Sequence, residues 1–272
     1  MVFVSKVELK NIVYEVGNTR ILKDIDMEIL GGQVTTIIGP NGCGKSTLLK
    51  SIVKLLPYKG EVYIDDIKIR DLKSKQMAKM VGILSQKNRL QYDVRVIDLL
   101  TYSRYAHLKR FEGLKQRDID MIDWALKETG AIDFKNRMMS ELSGGQQQRV
   151  WISFLLAQGT DTLLLDEPTT YLDIHHQLET LNIVHELNRK TGQTVVMVLH
   201  DLNQAIRYSD QIIVMQEGEI VTFGKPEDVL TNDVLNNVFN INGRIEFDGV
   251  TGRPYLAAYD LFCNTIKDIH NE

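Results

Sequence analysis

Cysteine is nearly absent from this chain, and its scarcity excludes two classes of protein. Cys43 and Cys263, the only two among 272 residues, form neither a disulfide framework nor a zinc-ligand spacing, so the cytosol is the expected compartment. No stretch approaches the roughly 20 consecutive apolar residues that cross a bilayer. The opening Met-Val-Phe-Val-Ser-Lys lacks the uninterrupted apolar segment of a secretory signal, so work at a membrane would be that of a peripheral subunit. Basic charge is not in excess either: 32 Lys and Arg against 36 Asp and Glu give a formal net charge of -4, no global attraction for nucleic acid. No Pro- or Ser-rich linker, internal repeat or low-complexity tract divides the chain. With 43% hydrophobic and 25% charged residues, the composition is that of a globular protein able to bury a sizeable core.

The chemistry begins at Gly39, Pro40, Asn41, Gly42, Cys43, Gly44, Lys45, Ser46 and Thr47, which fit Gly-x-x-x-x-Gly-Lys-Ser. A β-branched run at 33–38 reads as a buried strand before it, and apolar spacing at 48–56 suits a helix after it. In that setting successive backbone N–H groups form an anion nest at a helix N-terminus, where the helix dipole also favours phosphate. Lys45 is expected to reach the β- and γ-phosphates of a nucleotide, and the Ser46 hydroxyl to ligate Mg²⁺. A glycine-rich turn that merely contains a lysine is the competing reading, and the flanking strand and helix weigh against it.

Residues 2–14 and 23–30 carry alternating or β-rich patterns around Gly17-Asn18, predicting an antiparallel pair that leads into the phosphate-loop strand. Tyr14, closing the first of these, reads on its own as a cross-strand packing residue. A second strand pair is expected at 61–69 with its turn at Asp65-Asp66, and a short strand at 81–84 runs towards Gln86. From 94 to 158 apolar residues recur at helical spacing, predicting an inserted helical subdomain. The continuous apolar run 162–165 ends in Asp166-Glu167-Pro168, as expected of a buried parallel strand with acids at its carboxyl end.

A helix face through Leu178, Leu181, Val184 and Leu187 follows, then a second buried strand at 194–199 ending at His200-Asp201. Residues 212–215 and 219–223 predict a closing hairpin around Glu217-Gly218, and two short helical patterns come after residue 226. The stretch 245–255 has no decisive pattern. The fold class is therefore α/β: a P-loop NTPase (RecA-like) core with an N-terminal antiparallel β subdomain and an inserted α-helical subdomain. Residues 1–87 hold the antiparallel strands and first part of the core, 88–160 the helical subdomain, 161–225 the second part of the core, and 226–272 a short tail.

Two further stretches carry chemistry. Asp166 is placed to hold Mg²⁺ directly or through water, and Glu167 to act as general base for a water attacking the γ-phosphate. Capping or salt bridging is the alternative for such strand-end acids. In Leu-Ser-Gly-Gly-Gln-Gln-Gln-Arg at 142–149, two glycines after a serine precede a run of helix formers. This stretch reads equally as an anion-binding helix N-terminus or as an N-cap with a loose turn.

Together these pieces resemble the nucleotide-binding subunit of ABC transporters. Leu142, Ser143, Gly144, Gly145 and Gln146 match the family's signature, and the phosphate loop, Gln86, Asp166-Glu167 and His200 surround it in the family's order. The resemblance runs from about residue 7 to 239 and implies one cassette that closes head to tail with a second copy around two ATP. It implies that Ser143, Gly144, Gly145 and Gln146 cover a γ-phosphate held by the other copy's Lys45. Gln86 is implied to sense Mg²⁺ and the attacking water, Glu167 to be the catalytic glutamate, His200 the switch histidine on the γ-phosphate, and Asp173 the acid that spans the dimer. Tyr14 falls where the family stacks an aromatic on adenine, which replaces the packing reading.

Residues 39–49, 163–177, 196–209 and 247–255 resemble more narrowly the ATPases of bacterial iron(III)-siderophore importers. That likeness implies a peripheral protein on the cytoplasmic face of the cell membrane, with integral-membrane permease subunits as direct partners, a substrate-binding protein as an indirect one, and no nucleic acid. Heme and cobalamin importers share much of these stretches. A soluble ABC ATPase acting on ribosomes or DNA usually has two cassettes or a long coiled-coil insertion, and neither is present. Ser103-Arg104-Tyr105-Ala106-His107 departs from the importer group in a segment expected to receive the permease's coupling helices.

Overall fold

A computed structural model describes residues 6–86, 88, 90–109 and 111–262; residues 2–5 of the expected first strand, Cys263 and the rest of the tail lie outside these described residues. β1 (Val7–Val16) and β2 (Thr19–Ile29) pair antiparallel, with Leu22, Ile25, Met27 and Ile29 turned into the core. β3 (Val34–Ile38) is buried at every position and leads through the phosphate loop into α1 (Lys45–Ile52). β4 (Lys59–Ile64) returns to the free side of β1 and joins β5 (Ile67–Lys68) through Asp65 and Asp66. Both residues have positive φ, which the two-residue hairpin turn demands. These strands form an antiparallel sheet in the order β2-β1-β4-β5.

After α2 (Ser74–Met77) and β6 (Val81–Leu84) come three helices in succession, α3 (Val96–Ser103), α4 (Gln116–Glu128) and α5 (Gly144–Ala157). Alternation then resumes with β7 (Thr162–Asp166), α6 (Ile174–Thr191), β8 (Thr194–Val198), α7 (Leu202–Tyr208) and β9 (Gln211–Gln216), and β10 (Glu219–Gly224) closes the hairpin. The second sheet has the order β10-β9-β3-β8-β7-β6, with all neighbours parallel except β10 on β9. Its central strands β3, β7 and β8 are buried at every position and mostly apolar, as a covered parallel sheet requires. Ile37, Leu164, Val196 and Ile213 meet α1 and the antiparallel sheet, whereas Val34, Leu163, Leu165 and Met197 meet the helical side. Among the described residues no helix is long and apolar enough to cross a membrane.

The C-terminal part holds α8 (Pro226–Val229), α9 (Asn232–Phe239) and a hairpin of β11 (Ile241–Phe247) with β12 (Pro254–Leu261). The undecided stretch 245–255 is the turn end of this hairpin. Asn203 on α7 anchors it: its Nδ2 donates to Leu256 O at 3.2 Å, and Leu256 N–H donates to its Oδ1 at 2.8 Å.

Arg104, in the segment that departs from the importer pattern, clamps the end of α5. Its Nε donates to Asp118 Oδ1 at 3.0 Å and its Nη1 to the carbonyls of Ala157 and Gln158 at 2.7 and 3.1 Å. A guanidinium on the last carbonyls of a helix also complements its dipole. Burial pushes the Asp118 carboxyl up, but the Lys115 backbone N–H and Arg104 outweigh it and hold the group below its ordinary value. Arg104→Ala strands a buried carboxylate and is expected to cost about 3–5 kcal/mol in urea unfolding at neutral pH. A depressed carboxylate stabilises above its unfolded pKa and loses that contribution as pH falls through the folded one. The deficit should therefore shrink below about pH 4. An unchanged urea midpoint at neutral pH would contradict this account.

Candidate functional site

The phosphate loop joins β3 to α1. Gly44, at φ +106, occupies the cap position of α1 and offers no side-chain acceptor to the amides of its first turn. Those amides and the positive end of the helix dipole form a cradle suited to phosphate oxygen. Gly39, at φ +150, passes so close to β9 that a Cβ there would lie 2.1 Å from Met215 O. Gly218 in the β9–β10 turn seats the loop from outside by donating its N–H to Cys43 O at 3.0 Å. Asn41 and Gly42 are exposed at the tip. Lys45 is buried, and its Nζ donates to Gly39 O and Pro40 O at 2.8 Å each. Burial raises the Cys43 thiol against the pull of the Lys45 ammonium, which keeps it a neutral packing group.

One residue further on, Ser46 meets the end of β7, donating from Oγ to Asp166 Oδ1 at 2.6 Å. Asp166 is buried, its Oδ2 accepts no hydrogen bond, and Lys50 Nζ stands 3.6 Å from that oxygen. A hydroxyl beside an unsatisfied buried carboxylate oxygen is a hard oxygen donor set, and it fits Mg²⁺.

Glu167 follows at φ +54, a left-handed conformation that a side chain adopts only when its surroundings hold it there. His200 Nε2 lies 2.7 Å from Glu167 Oε1, Thr170 Oγ1 donates to Oε2 at 3.0 Å, and Gln86 Nε2 donates to the same Oε2. The Glu167 side chain is 10% exposed against 45% for His200, so the acid sits beneath the histidine. Gln86, Glu167 and His200 come from the carboxyl ends of β6, β7 and β8, three neighbours in the parallel sheet. That is where open α/β sheets place ligands.

The signature residues form a second group. Ser143 caps α5: its Oγ accepts from Gln146 N–H at 3.3 Å, and its own N–H donates to Gln146 Oε1 at 3.0 Å. Gly145 lies against the next helix, where a Cβ would fall 2.0 Å from the His176 ring, and Gly144 faces Leu172. Asp173 caps α6 by accepting His176 N–H at 2.9 Å, which holds its carboxyl below the usual range. Arg149 on α5 pairs with Glu179 on α6 at 2.5 Å. The signature turn and the Asp173 turn are thus packed and bonded to one another. Among the described residues no hydrogen bond or ion pair joins 143–146 to 39–47 of the same chain.

Tyr14 is half-buried in β1 opposite Leu22, packed on the core under the antiparallel sheet. A Cβ on Gly44 would lie 3.0 Å from Leu22 Cδ2, which puts Tyr14 one strand away from the loop. Sequence reasoning assigned no role to Thr170 or His176, although both lie within 163–177, and missed the Arg149–Glu179 pair, whose members stand on separate helices. The Ser143–Gln146 cap was readable, since serine followed three residues later by glutamine is a capping-box pattern.

Comparison with known proteins places this geometry among relatives. Residues 22–170 match the family model described as ABC transporter. The iron(3+)-hydroxamate import ATP-binding protein FhuC of Bacillus subtilis is 43% identical over 91% of this chain and 93% of that protein. The ferric enterobactin transport ATP-binding protein FepC of Escherichia coli is 40% identical over 89% of each. Among solved structures, a metal-chelate type ABC transporter in an inward-facing conformation superposes with TM-score 0.81 at 21% identity, covering 97% of this chain and 100% of that one. An ATP-binding cassette solved as a dimer in a post-hydrolysis state with ADP and phosphate gives TM-score 0.69 at 32% identity, over 80% of this chain and 98% of that one.

Gly39→Ala tests the loop geometry. The methyl group meets a backbone carbonyl at a φ that L-residues avoid, so strain of at least about 1–3 kcal/mol is expected. Calorimetry should show a lower thermal midpoint and MgATP binding weakened at least tenfold. Parental affinity would mean that the close approach to Met215 does not shape the cradle.

Proposed function

The chain belongs to the ABC transporter family, and we propose from that membership that it powers import of an iron(III)-siderophore complex through a membrane permease. It is an ATPase, and its cassette binds ATP. The cargo is inferred from relatives that serve hydroxamate and enterobactin uptake, which resemble this chain over most of its length. The observation that carries the mechanism is the Glu167 carboxylate, shared by Gln86 and His200 and next in the chain to the Asp166–Ser46 contact.

In this reading the loop amides and Lys45 hold the β- and γ-phosphates, and Tyr14 stacks on adenine. Ser46, Asp166 and Gln86 hold Mg²⁺, which when bound neutralises charge on the phosphate oxygens. Glu167 accepts a proton from the attacking water, and His200 contacts the γ-phosphate. Ser143, Gly144, Gly145 and Gln146 of a second copy close over that phosphate, with Asp173 spanning the contact. Residues 1–87 supply the antiparallel β subdomain and the first part of the core of this single cassette, 161–225 the second part of the core, 88–160 its helical subdomain, and 226–272 its tail.

Support for a shared site comes from the signature turn, whose residues make no bond to their own loop. ATP between two helix N-termini holds the copies together, and its hydrolysis to ADP and phosphate removes that attraction. The opening and closing would drive the permease from the cytoplasmic face, with a substrate-binding protein delivering cargo outside.

Glu167→Gln keeps the hydrogen-bonding shape and removes the base. ATP affinity should be retained, hydrolysis should fall by about 10²–10⁴-fold, and an ATP-bound dimer should be visible by gel filtration. Hydrolysis at the parental rate would refute the assignment of Glu167. Cargo is tested separately in cells: deleting the chain should abolish uptake of iron-labelled hydroxamate, whereas unchanged uptake with loss of heme or cobalamin import would move it to those chelates.

A further inference from the structure

A cavity of about 770 Å³ opens between the β11–β12 turn and the adjoining parts of α6 and α7. Its walls include Asn182, His185, Arg189, Arg207, Tyr208 and Arg253, none of which belongs to the group around Glu167 or to the signature. The volume suits a small organic molecule. Three guanidiniums from three separate segments line it, and Asp248 is the one acid among the lining residues.

Asp248 is held by its own turn through Oδ1, which accepts from Thr251 N–H at 2.6 Å, Thr251 Oγ1 at 2.8 Å and Val250 N–H at 3.1 Å. These bonds, with a smaller pull from Arg207, keep its carboxyl below the ordinary value. Outside the lining, Asp210 takes a single bond from Arg189 Nη2 at 3.3 Å, and its second oxygen accepts Val34 N–H at 2.9 Å. Arg207 lies over the Tyr208 ring, 5.5 Å from its centroid, and among the described residues neither it nor Arg253 has an ion pair.

Arg253 is fixed in the wall because its Nη1 donates to the carbonyls of Ile206, Arg207 and Ser209 at 2.9, 2.8 and 3.1 Å. Among the described residues its Nε and Nη2 make no such bond. Asn182 accepts from Tyr208 OH through Oδ1 at 2.9 Å, which leaves its amide N–H groups as donors. A planar fork held in place by Nη1, with Arg189 and Arg207 presenting two further guanidiniums to the same cavity, is an arrangement that recognises carboxylate or phosphate by paired hydrogen bonds.

We propose that this cavity binds a small organic polyanion bearing two or more carboxylate or phosphate groups. Arg253 takes the inner anionic group, and Arg189 and Arg207 take the outer one. Bound there, the ligand bridges the C-terminal hairpin to α7, the helix that begins two residues after His200. The site is independent of the cargo reading above.

The test uses the full chain carrying Lys45→Ala, which removes the ammonium of the phosphate loop, titrated calorimetrically with citrate and with pyrophosphate at low ionic strength. One-to-one binding of at least one probe is expected. It should weaken at least tenfold in Arg189→Gln/Arg207→Gln and in high salt. Citrate alone would assign the site to carboxylates, and pyrophosphate alone to phosphates. Val250→Glu, at a 95% exposed position on the rim, adds a carboxylate without touching the core and should weaken binding to a similar degree. No saturable binding of either probe, or binding that both sets of substitutions leave unchanged, overturns the proposal.

Discussion

The 2.6 Å hydrogen bond from Ser46 Oγ to Asp166 Oδ1 ties the first turn of α1 to the end of β7, and the rest of the site is registered through it. On one side of that bond lies the phosphate loop, pressed by Gly39 against Met215 and closed by Gly44 at a φ that no side chain favours. On the other side lies Glu167, turned left-handed so that its carboxylate faces Gln86 and His200. Because β6, β7 and β8 are parallel neighbours, all three groups emerge at the same edge of the sheet. The core on both faces of those strands makes this placement rigid.

Rigidity on that side contrasts with the separateness of the signature. Ser143 exchanges two hydrogen bonds with Gln146, and Gly145 and Arg149 bind the turn to α6 instead of to the loop. The α5 helix thereby carries the signature at one end and is gripped at the other by Arg104, within the segment that departs from the importer pattern. Residues 103–107 are thus joined to the signature turn through a single helix.

The phosphate loop, the Asp65-Asp66 turn and the acids at the carboxyl end of β7 were legible in the sequence because each depends on residues close together in the chain. Boundaries were less so. The helix expected over 48–56 spans Lys45–Ile52, since Gly44 starts it three residues earlier and Lys54 at φ +55 lies just beyond its end. The hairpin at 241–261 was not legible, because its strands expose much of both faces and are held by Asn203 and by the Arg253 contacts with α7. Arg104 follows α3 and Asp118 lies in the first turn of α4, both are charged, and nothing local marks them as a buried pair. Tyr14 shows the opposite case, where the local pattern gave packing and only the family likeness gave adenine.

The central claim is that each phosphate loop is completed by the signature of a second copy. It is tested most directly by mixing chains carrying Lys45→Ala with chains carrying Ser143→Arg, in the presence of radiolabelled ATPγS, and passing the mixture over a sizing column. Each variant alone has no intact site in either arrangement. A head-to-tail pair of the two has one native loop facing one native signature, so a dimer-sized species retaining one nucleotide per two chains is expected. If the mixture retains no more nucleotide than either variant alone, the loop and signature do not meet between copies.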